Sequence, residues 1–277
     1  MSDLKGAKLA YQTNTWGGVV GHPAGVTSIK DLYYLANGST EEAMRDISGA
    51  GYDGFEVFDG NLMQYEGREE VFRRLMEETG LKLVGVYSGA NFIYPDVFEE
   101  ELHRIETAAK LAAAFDVEHL VLGGGAIRAN GIREEDYRFV GEGLEKCVGI
   151  AERNGLLASF HPHLGTCVES TEQIGKVFEY TGIAFCPDTA HLAGGGGDPA
   201  ELIKTYPERI KYVHLKDYRD GEFLPLGAGD LGIEGIISAL AEIDYSGWIG
   251  VELDAFDDPA KGAQISKRFL DEALREG

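Results

Sequence analysis

Cysteine is scarce in this chain. Cys147, Cys167 and Cys186 are three in 277 residues, far apart and odd in number, which argues against a disulfide framework. No CxxC pair occurs, so a zinc ribbon is not expected and a reducing cytoplasm fits best. Long apolar runs are missing too. No stretch of about 18 apolar residues appears, so no membrane span is expected. The opening MSDLKGAKLAYQTNTW holds no apolar core of signal-peptide length, so no secretory leader is expected. Positive charge is short: 25 Lys and Arg face 47 Asp and Glu, a formal net charge of -22. That balance repels a phosphate backbone and argues against a nucleic-acid partner. No GxGxxG follows the first apolar run, and GGGA (123–126) and GGGG (194–197) lack its spacing, which counts against a doubly wound nucleotide-binding sheet. What remains is an acidic cytoplasmic protein, long enough to bury most of its apolar surface without staples.

Eight short apolar runs are present: KLAYQTN (8–14), GFEVF (54–58), LKLVGVYS (81–88), HLVLGG (119–124), LLASFHP (156–162), IAFCPD (183–188), IKYVHLKD (210–217) and WIGVELD (248–254). Their nearly continuous apolar character suits parallel strands covered on both faces. Amphipathic stretches separate them. STEEAMRDISGAG opens on a Ser/Thr cap, has Glu in its first turn and stops at glycine. FEEELHRIETAAKLAAAFD and REEDYRFVGEGLEKCVGIAERNG place apolar residues three and four apart with charged outer faces. STEQIGKVFEYTG and GIEGIISALAEIDYSG repeat the polar start, apolar stripe and glycine stop. This alternation predicts an α/β fold, a single (β/α)8 TIM barrel over residues 1–277 with no linker or internal repeat.

In such barrels the chemistry gathers at the carboxyl ends of the strands. Strand 2 ends in Glu56, with Asp59 following, and strand 5 in His161 and His163. Strand 6 ends in Asp188, with His191 three residues on; strand 7 carries His214, Lys216 and Asp217; strand 8 carries Glu252 and Asp254. A lone strand-end histidine is ordinarily a structural, hydrogen-bonded residue. Here four of the seven histidines fall on adjacent strand ends beside carboxylates, which points to a metal site. Mixed imidazole and carboxylate ligands suit Mn²⁺, Zn²⁺, Co²⁺ or Mg²⁺, and ligand type alone does not choose among them. His161 and His163 would share one side of an extended strand. Pro162 fits the place where ladder pairing stops, which sets both imidazoles over the barrel mouth. LGT then turns the chain, and Glu169 precedes a helix cap at Ser170.

GFEVF, HPHLGT, PDTAHL, VHLKD and GVELD, in this order and spread over essentially the whole chain, resemble the xylose-isomerase-like TIM-barrel superfamily, in its branch of sugar isomerases, epimerases and inosose dehydratases. The resemblance implies one divalent metal held at the ends of strands 5 to 8 by a Glu, Asp, His, Glu pattern. Its last three ligands map onto Asp188, His214 and Glu252, and it places Glu56 and His191 against substrate or the ligand shell. Strand 5 departs from the pattern, with His161 and His163 where the epimerases have glutamate. Members similar to inosose dehydratase share a histidine-rich HxH.GT segment there. Two arrangements follow: His161 is the fourth ligand, the favoured one, or both histidines move protons and Glu169 folds back to the metal.

The reaction expected is proton abstraction next to a carbonyl on a sugar, keto-sugar or cyclitol, with the metal stabilising the enediolate. His163 is the expected base, Glu252 or His191 the partner acid, and Lys216 a group that binds or polarises a substrate oxygen. The plainer reading of Lys216 is a strand-end lysine paired with Asp217. With no strand-5 glutamate, elimination is preferred over isomerisation or epimerisation. Two rivals stand further off: a three-zinc repair nuclease, disfavoured by the net charge, and a partner subunit with a decayed site. Trp16 is read as a sugar-stacking or packing residue. LVLGGGAIRANG is read as a glycine-rich turn after strand 4 in preference to a phosphate cradle, and GAGDLGIEG (227–235) as a loop that caps the site. The stretch from Gly17 to Gly38 is read as a lid or partner contact. An oligomer is allowed, with nothing to mark its interface.

Overall fold

A computed structural model describes residues 7–17 and 33–275. Eight parallel strands form the barrel wall: β1 (Lys8–Gln12), β2 (Gly54–Phe58), β3 (Lys82–Ala90), β4 (His119–Gly124), β5 (Leu157–Phe160), β6 (Ala184–Phe185), β7 (Tyr212–Leu215) and β8 (Trp248–Val251). Their order in the sheet is β6-β5-β4-β3-β2-β1-β8-β7, so each strand lies beside its neighbours in the chain and β1 joins β8. The seam between β6 and β7 carries two isolated bridges, Phe185 with Ile210 and Asp188 with His214. Pro187 has no N–H to give this seam, but its carbonyl accepts from the His214 amide at 3.0 Å. The result is a nearly closed TIM barrel.

The helices stand between the strands where the amphipathic stretches predict them. Among them are Thr40–Ala50, Pro95–Ala113, Glu134–Arg153, Thr171–Phe178 and Ile233–Glu242, followed by Pro259–Ala273 after β8. Ser39 caps the first, its hydroxyl accepting a hydrogen bond from the Glu42 amide, and Ser170 and Gln173 form a reciprocal capping box on the fourth. No described helix is long and apolar enough to cross a membrane.

The strands are shorter than the apolar runs that announce them. β1 gives way to a 3-10 turn, Thr13–Thr15, and β5 stops at Phe160, before His161-Pro162-His163. Pairing still continues by single rungs: the His161 amide bonds the Leu122 carbonyl at 2.9 Å, and that of Glu252 bonds Leu215 at 3.0 Å. An unanticipated hairpin, Asp217–Arg219 with Glu222–Leu224, follows β7. In the glycine turn after β4, the amides of Gly125 and Ala126 are spent on the carbonyls of Ala90 and Asn91. That is the turn reading rather than the phosphate cradle. Most of the stretch read as a lid, residues 18–32, lies outside the described residues.

Alternation along each strand sorts the side chains. One set faces the helices and builds the large apolar core; the other faces the barrel axis. The inner set begins with Ala10, Val84, Val121, Cys186, Tyr212 and Trp248, a separate apolar floor. Towards the carboxyl ends the same inward positions turn polar, from Tyr212 to His214 and Lys216, and from Gly250 to Glu252 and Asp254. Glycines leave room for this layer. A Cβ on Gly85 would lie 2.7 Å from Glu56 Oε2, and one on Gly250 would lie 2.6 Å from the Tyr212 hydroxyl. Outside the barrel, buried Arg104 pairs with Asp59, which also accepts from Ser88 and from the amides of Tyr34 and Gly60. Burial pushes the Asp59 carboxyl up to about 6 even though Arg104 pulls against it. This places Asp59 in structural duty.

His119 starts β4 inside the barrel, stacked on Tyr212 with ring centroids 4.7 Å apart. Burial lowers its pKa from 6.5 to about 4, with Glu118 opposing and His214 and Lys82 assisting. The native state therefore keeps it neutral where the unfolded chain takes a proton. Its contribution is fully present above pH 6.5 and is lost as pH falls from 6.5 towards 4, on the order of 3 kcal/mol in total. Replacing it by an aromatic ring that cannot titrate, His119→Phe, should flatten the fall in urea-unfolding stability across that window. An unchanged slope would show that His119 does not govern the acid limb.

Candidate metal and catalytic site

Four inward side chains from consecutive strand ends meet on the barrel axis. His161, Asp188, His214 and Glu252 each offer a ligand atom within 4.8 Å of the others, and all four are buried. The seam bridge sets Asp188 opposite His214, and β8 brings Glu252 to His214, with Oε2 and Nδ1 2.8 Å apart. His161 Nε2 stands 3.4 Å from Glu252 and 3.7 Å from Asp188.

The donor set fits a cation. His161 Nδ1 and Nε2 and Asp188 Oδ2 are buried without a hydrogen-bond partner, a costly state unless something else uses them. Burial lowers the affinity of His214 for a proton, yet Glu56 and Glu252 overcome it and raise its pKa to about 10. His161 is raised in the same way, against its burial, by Asp188 and Glu252. A pocket that draws protons onto imidazoles attracts positive charge of any kind, and two imidazoles with two carboxylates are suitable ligands for a divalent ion. Glu56 sits one step outward, with Oε2 3.1 Å from His214 Nε2, which leaves Nδ1 of that ring turned to the cluster. This is the carboxylate–histidine arrangement that orients metal ligands.

A second group surrounds Lys216, which is buried. Its ammonium lies 2.9 Å from Asp254, 3.1 Å from His191 Nε2, 3.4 Å from Glu252 and 3.5 Å from Asp188. Burial works against its charge, but Asp188, Asp254 and Glu252 raise its pKa and keep the proton on. The plainer pairing with Asp217 does not occur, because Asp217 accepts from the amides of Gly227, Gly229 and Leu231 and pins that loop instead. Since the ammonium can only donate, His191 Nε2 must accept, and the His191 proton sits on Nδ1. Nδ1 is buried and unpartnered. His163 packs against His191, with ring centroids 3.6 Å apart and planes tilted by 38°. Its Nδ1 donates to the Leu164 carbonyl at 2.7 Å, so Nε2 keeps a free lone pair. Burial, followed by His161 and Lys216, lowers the His163 pKa, and burial followed by His163 and Lys216 lowers that of His191 further.

The structure thus gathers His161, His163, Asp188, His191, His214, Lys216, Glu252 and Glu56. Two expected residues stay away. Glu169 accepts from the Gly165 amide at 2.8 Å, closing its own turn rather than folding back to the metal ligands. Trp16 is buried in the layer between barrel and helices, edge-on to Tyr11, with its indole N–H 3.0 Å from Asp46, so it follows the packing reading. Residues missed from the sequence are Gln12 and Asn14, while Asp254, named at the end of strand 8 without a role, is the 2.9 Å partner of Lys216. Gln12 donates to Glu56 at 3.3 Å, and Asn14 donates to Glu252 at 3.1 Å. The signal for them was present: Gln12 and Asn14 alternate at the end of β1, as His161 and His163 do after β5.

Comparison with known proteins bears on the fold and the family. Inosose dehydratase of Clostridium tetani (strain Massachusetts / E88) is 28% identical over 260 residues, which cover 82% of this chain and 85% of the relative. Among solved structures, the IolI protein with a binding zinc atom superposes with a TM-score of 0.76 at 16% identity, covering 97% of this chain and 98% of its own. An L-ribulose 3-epimerase gives 0.75 at 16% identity, covering 98% and 95%. Both structural matches speak for the fold. Residues 44–273 match the family described as xylose isomerase-like TIM barrel, and the chain belongs to that family.

Proposed function

We propose that this protein is a divalent-metal-dependent dehydratase acting on a keto-sugar or ketocyclitol, removing a proton next to the carbonyl and then a β-hydroxyl as water. The observation that carries the reading is the convergence of His161, Asp188, His214 and Glu252 beside a neutral imidazole pair, His163 and His191. The similarity to inosose dehydratase supports the substrate class and the direction of the reaction. A divalent ion held by the four ligands would supply positive charge to the oxygen that becomes negative as the proton leaves.

The chain's own groups supply the rest. His163 Nε2, whose lone pair is left free by the bond from Nδ1 to Leu164, takes the proton from carbon. Electrons move towards the carbonyl oxygen, where the Lys216 ammonium adds positive charge at close range. They return to form a carbon–carbon double bond as the β-hydroxyl departs; His191 Nδ1–H donates the proton that makes it water while His191 Nε2 takes one from the Lys216 ammonium, so the ring stays neutral. Lys216 keeps His191 in the tautomer needed for that donation. Glu169, tied to the Gly165 amide, is not positioned as the second carboxylate of an epimerase pair.

Incubation with 2-keto-inositol should give loss of one water, followed by absorbance and mass. Inversion at C3 of a ketohexose without dehydration would overturn the preference for elimination. His163→Ala should lower kcat by about a hundredfold to ten-thousandfold while leaving bound metal unchanged. Elemental analysis should find about one divalent ion per chain, and His161→Ala or Asp188→Asn should lose it. Chelation should abolish turnover, and re-addition of Mn²⁺, Co²⁺ or Zn²⁺ should restore it. Full activity in the chelated protein would remove the metal from the mechanism.

A further inference from the structure

Asn14 is fully buried at the centre of the turn that ends β1. Its backbone amide donates to Gln12 Oε1 at 3.0 Å, and the next residue, Thr15, donates its hydroxyl to the Leu253 carbonyl. The turn is thus fastened to β1 on one side and to the segment after β8 on the other. The side chain has no freedom of orientation either. Its NH₂ group donates to Glu252 Oε1 at 3.1 Å. The carbonyl oxygen, Oδ1, is turned elsewhere, and it is a buried acceptor without a partner. Buried acceptors are nearly always satisfied, and those that are not in the protein alone cluster where something else is bound. The same side chain rests through its NH₂ group on Glu252, a candidate metal ligand, at the carboxylate oxygen that also stands 3.4 Å from Lys216.

We infer that Asn14 is a substrate-positioning residue, whose Oδ1 accepts a hydrogen bond from a hydroxyl of the sugar or cyclitol held beside Glu252. The inference rests on the sugar or cyclitol class proposed above, but not on dehydration as the outcome. Its chemical consequence is selectivity. A substrate lacking that one hydroxyl leaves the acceptor unpaired in a buried site, a far heavier penalty than a lost contact at the surface. An arrangement in which Asn14 only braces Glu252 makes no such distinction between hydroxyls.

The test is a binding ratio rather than a rate. Dissociation constants of 2-keto-inositol and its monodeoxy analogues are measured by calorimetry on the metal-loaded wild type, Asn14→Ala and Asn14→Leu, with metal content checked in each. The wild type should bind one particular deoxy analogue about tenfold to a hundredfold more weakly than the parent. In both variants that ratio should fall towards one, while the ratios for the other analogues stay as they were. Retained discrimination in both variants overturns the inference, as does an equal weakening for every analogue, which would mark a purely structural brace. Absence of any binding to the wild type overturns it together with the substrate class. Binding without turnover sinks only the dehydratase reading, since the ratios still decide the role of Asn14. Loss of metal from one variant transfers the decision to the other. Loss from both assigns Asn14 to holding Glu252 and overturns the inference.

Discussion

Buried carboxyl groups require cations beside them, and the upper barrel is organised around that requirement. Glu56, Asp188, Glu252 and Asp254 are all buried within reach of Lys216 or His214. An unpaired ion in such a place costs several kcal/mol, so none of these residues is independent of the others. The Lys216 ammonium answers part of the charge, and the carboxylates around His214 draw further positive charge to that ring. The unpartnered atoms of His161 and Asp188 are where the answer is incomplete, and these atoms belong to the four residues that best fit a divalent ion. On this account the ion does more than serve chemistry. It also completes the charge balance of the barrel interior.

The barrel makes this balance possible through register alone. Parallel neighbours bring Gly250 level with His214 and Glu56 level with Gln12 and Gly85, so small residues stand where large polar ones must fit. A one-residue slip would turn the whole polar set outward against the helices. β1 holds the two carboxylates that bracket His214 from opposite sides: Gln12 reaches Glu56 on β2, and Asn14 reaches Glu252 after β8. The amides at the end of the first strand thereby link residues that the chain separates by nearly its full length.

The barrel was legible because its signals are local. Ser39 and Ser170 mark helix starts that the structure confirms, and the eight apolar runs all become strands. The strand-end rule gathered His161, Asp188, His214 and Glu252 within a longer set of polar residues without any distance information, and the family resemblance singled out the last three as ligands. What stayed hidden was set by tertiary competition. Glu169 looked available because its partner, the Gly165 amide, is offered only by the fold of the turn between them. Trp16 follows the first strand in sequence, yet its indole turns outward to Asp46 on the next helix. Lys216 seemed equally suited to Asp217, but alternation points adjacent residues to opposite faces. Lys216 goes to the axis and Asp217 to the loop amides. Asn14 was overlooked because an amide carries no charge pattern to notice.

Two layers of different chemistry follow from this packing. In one, carboxylates hold His161 and His214 in a field that favours positive charge. In the other, burial and the Lys216 ammonium keep His163 and His191 neutral, packed against each other, and in defined tautomers. A neutral imidazole with a free Nε2 can accept a proton, and one with a free Nδ1–H can donate one. Neither could do so if it shared the field around His214. Lys216 separates the layers because it touches both: it balances Asp188 and Glu252 below and fixes His191 above. Its ammonium is therefore as much a condition for proton transfer as the imidazoles that carry it out. A neutral replacement of Lys216 would disturb the charge balance of one layer and free the tautomer of the other at once.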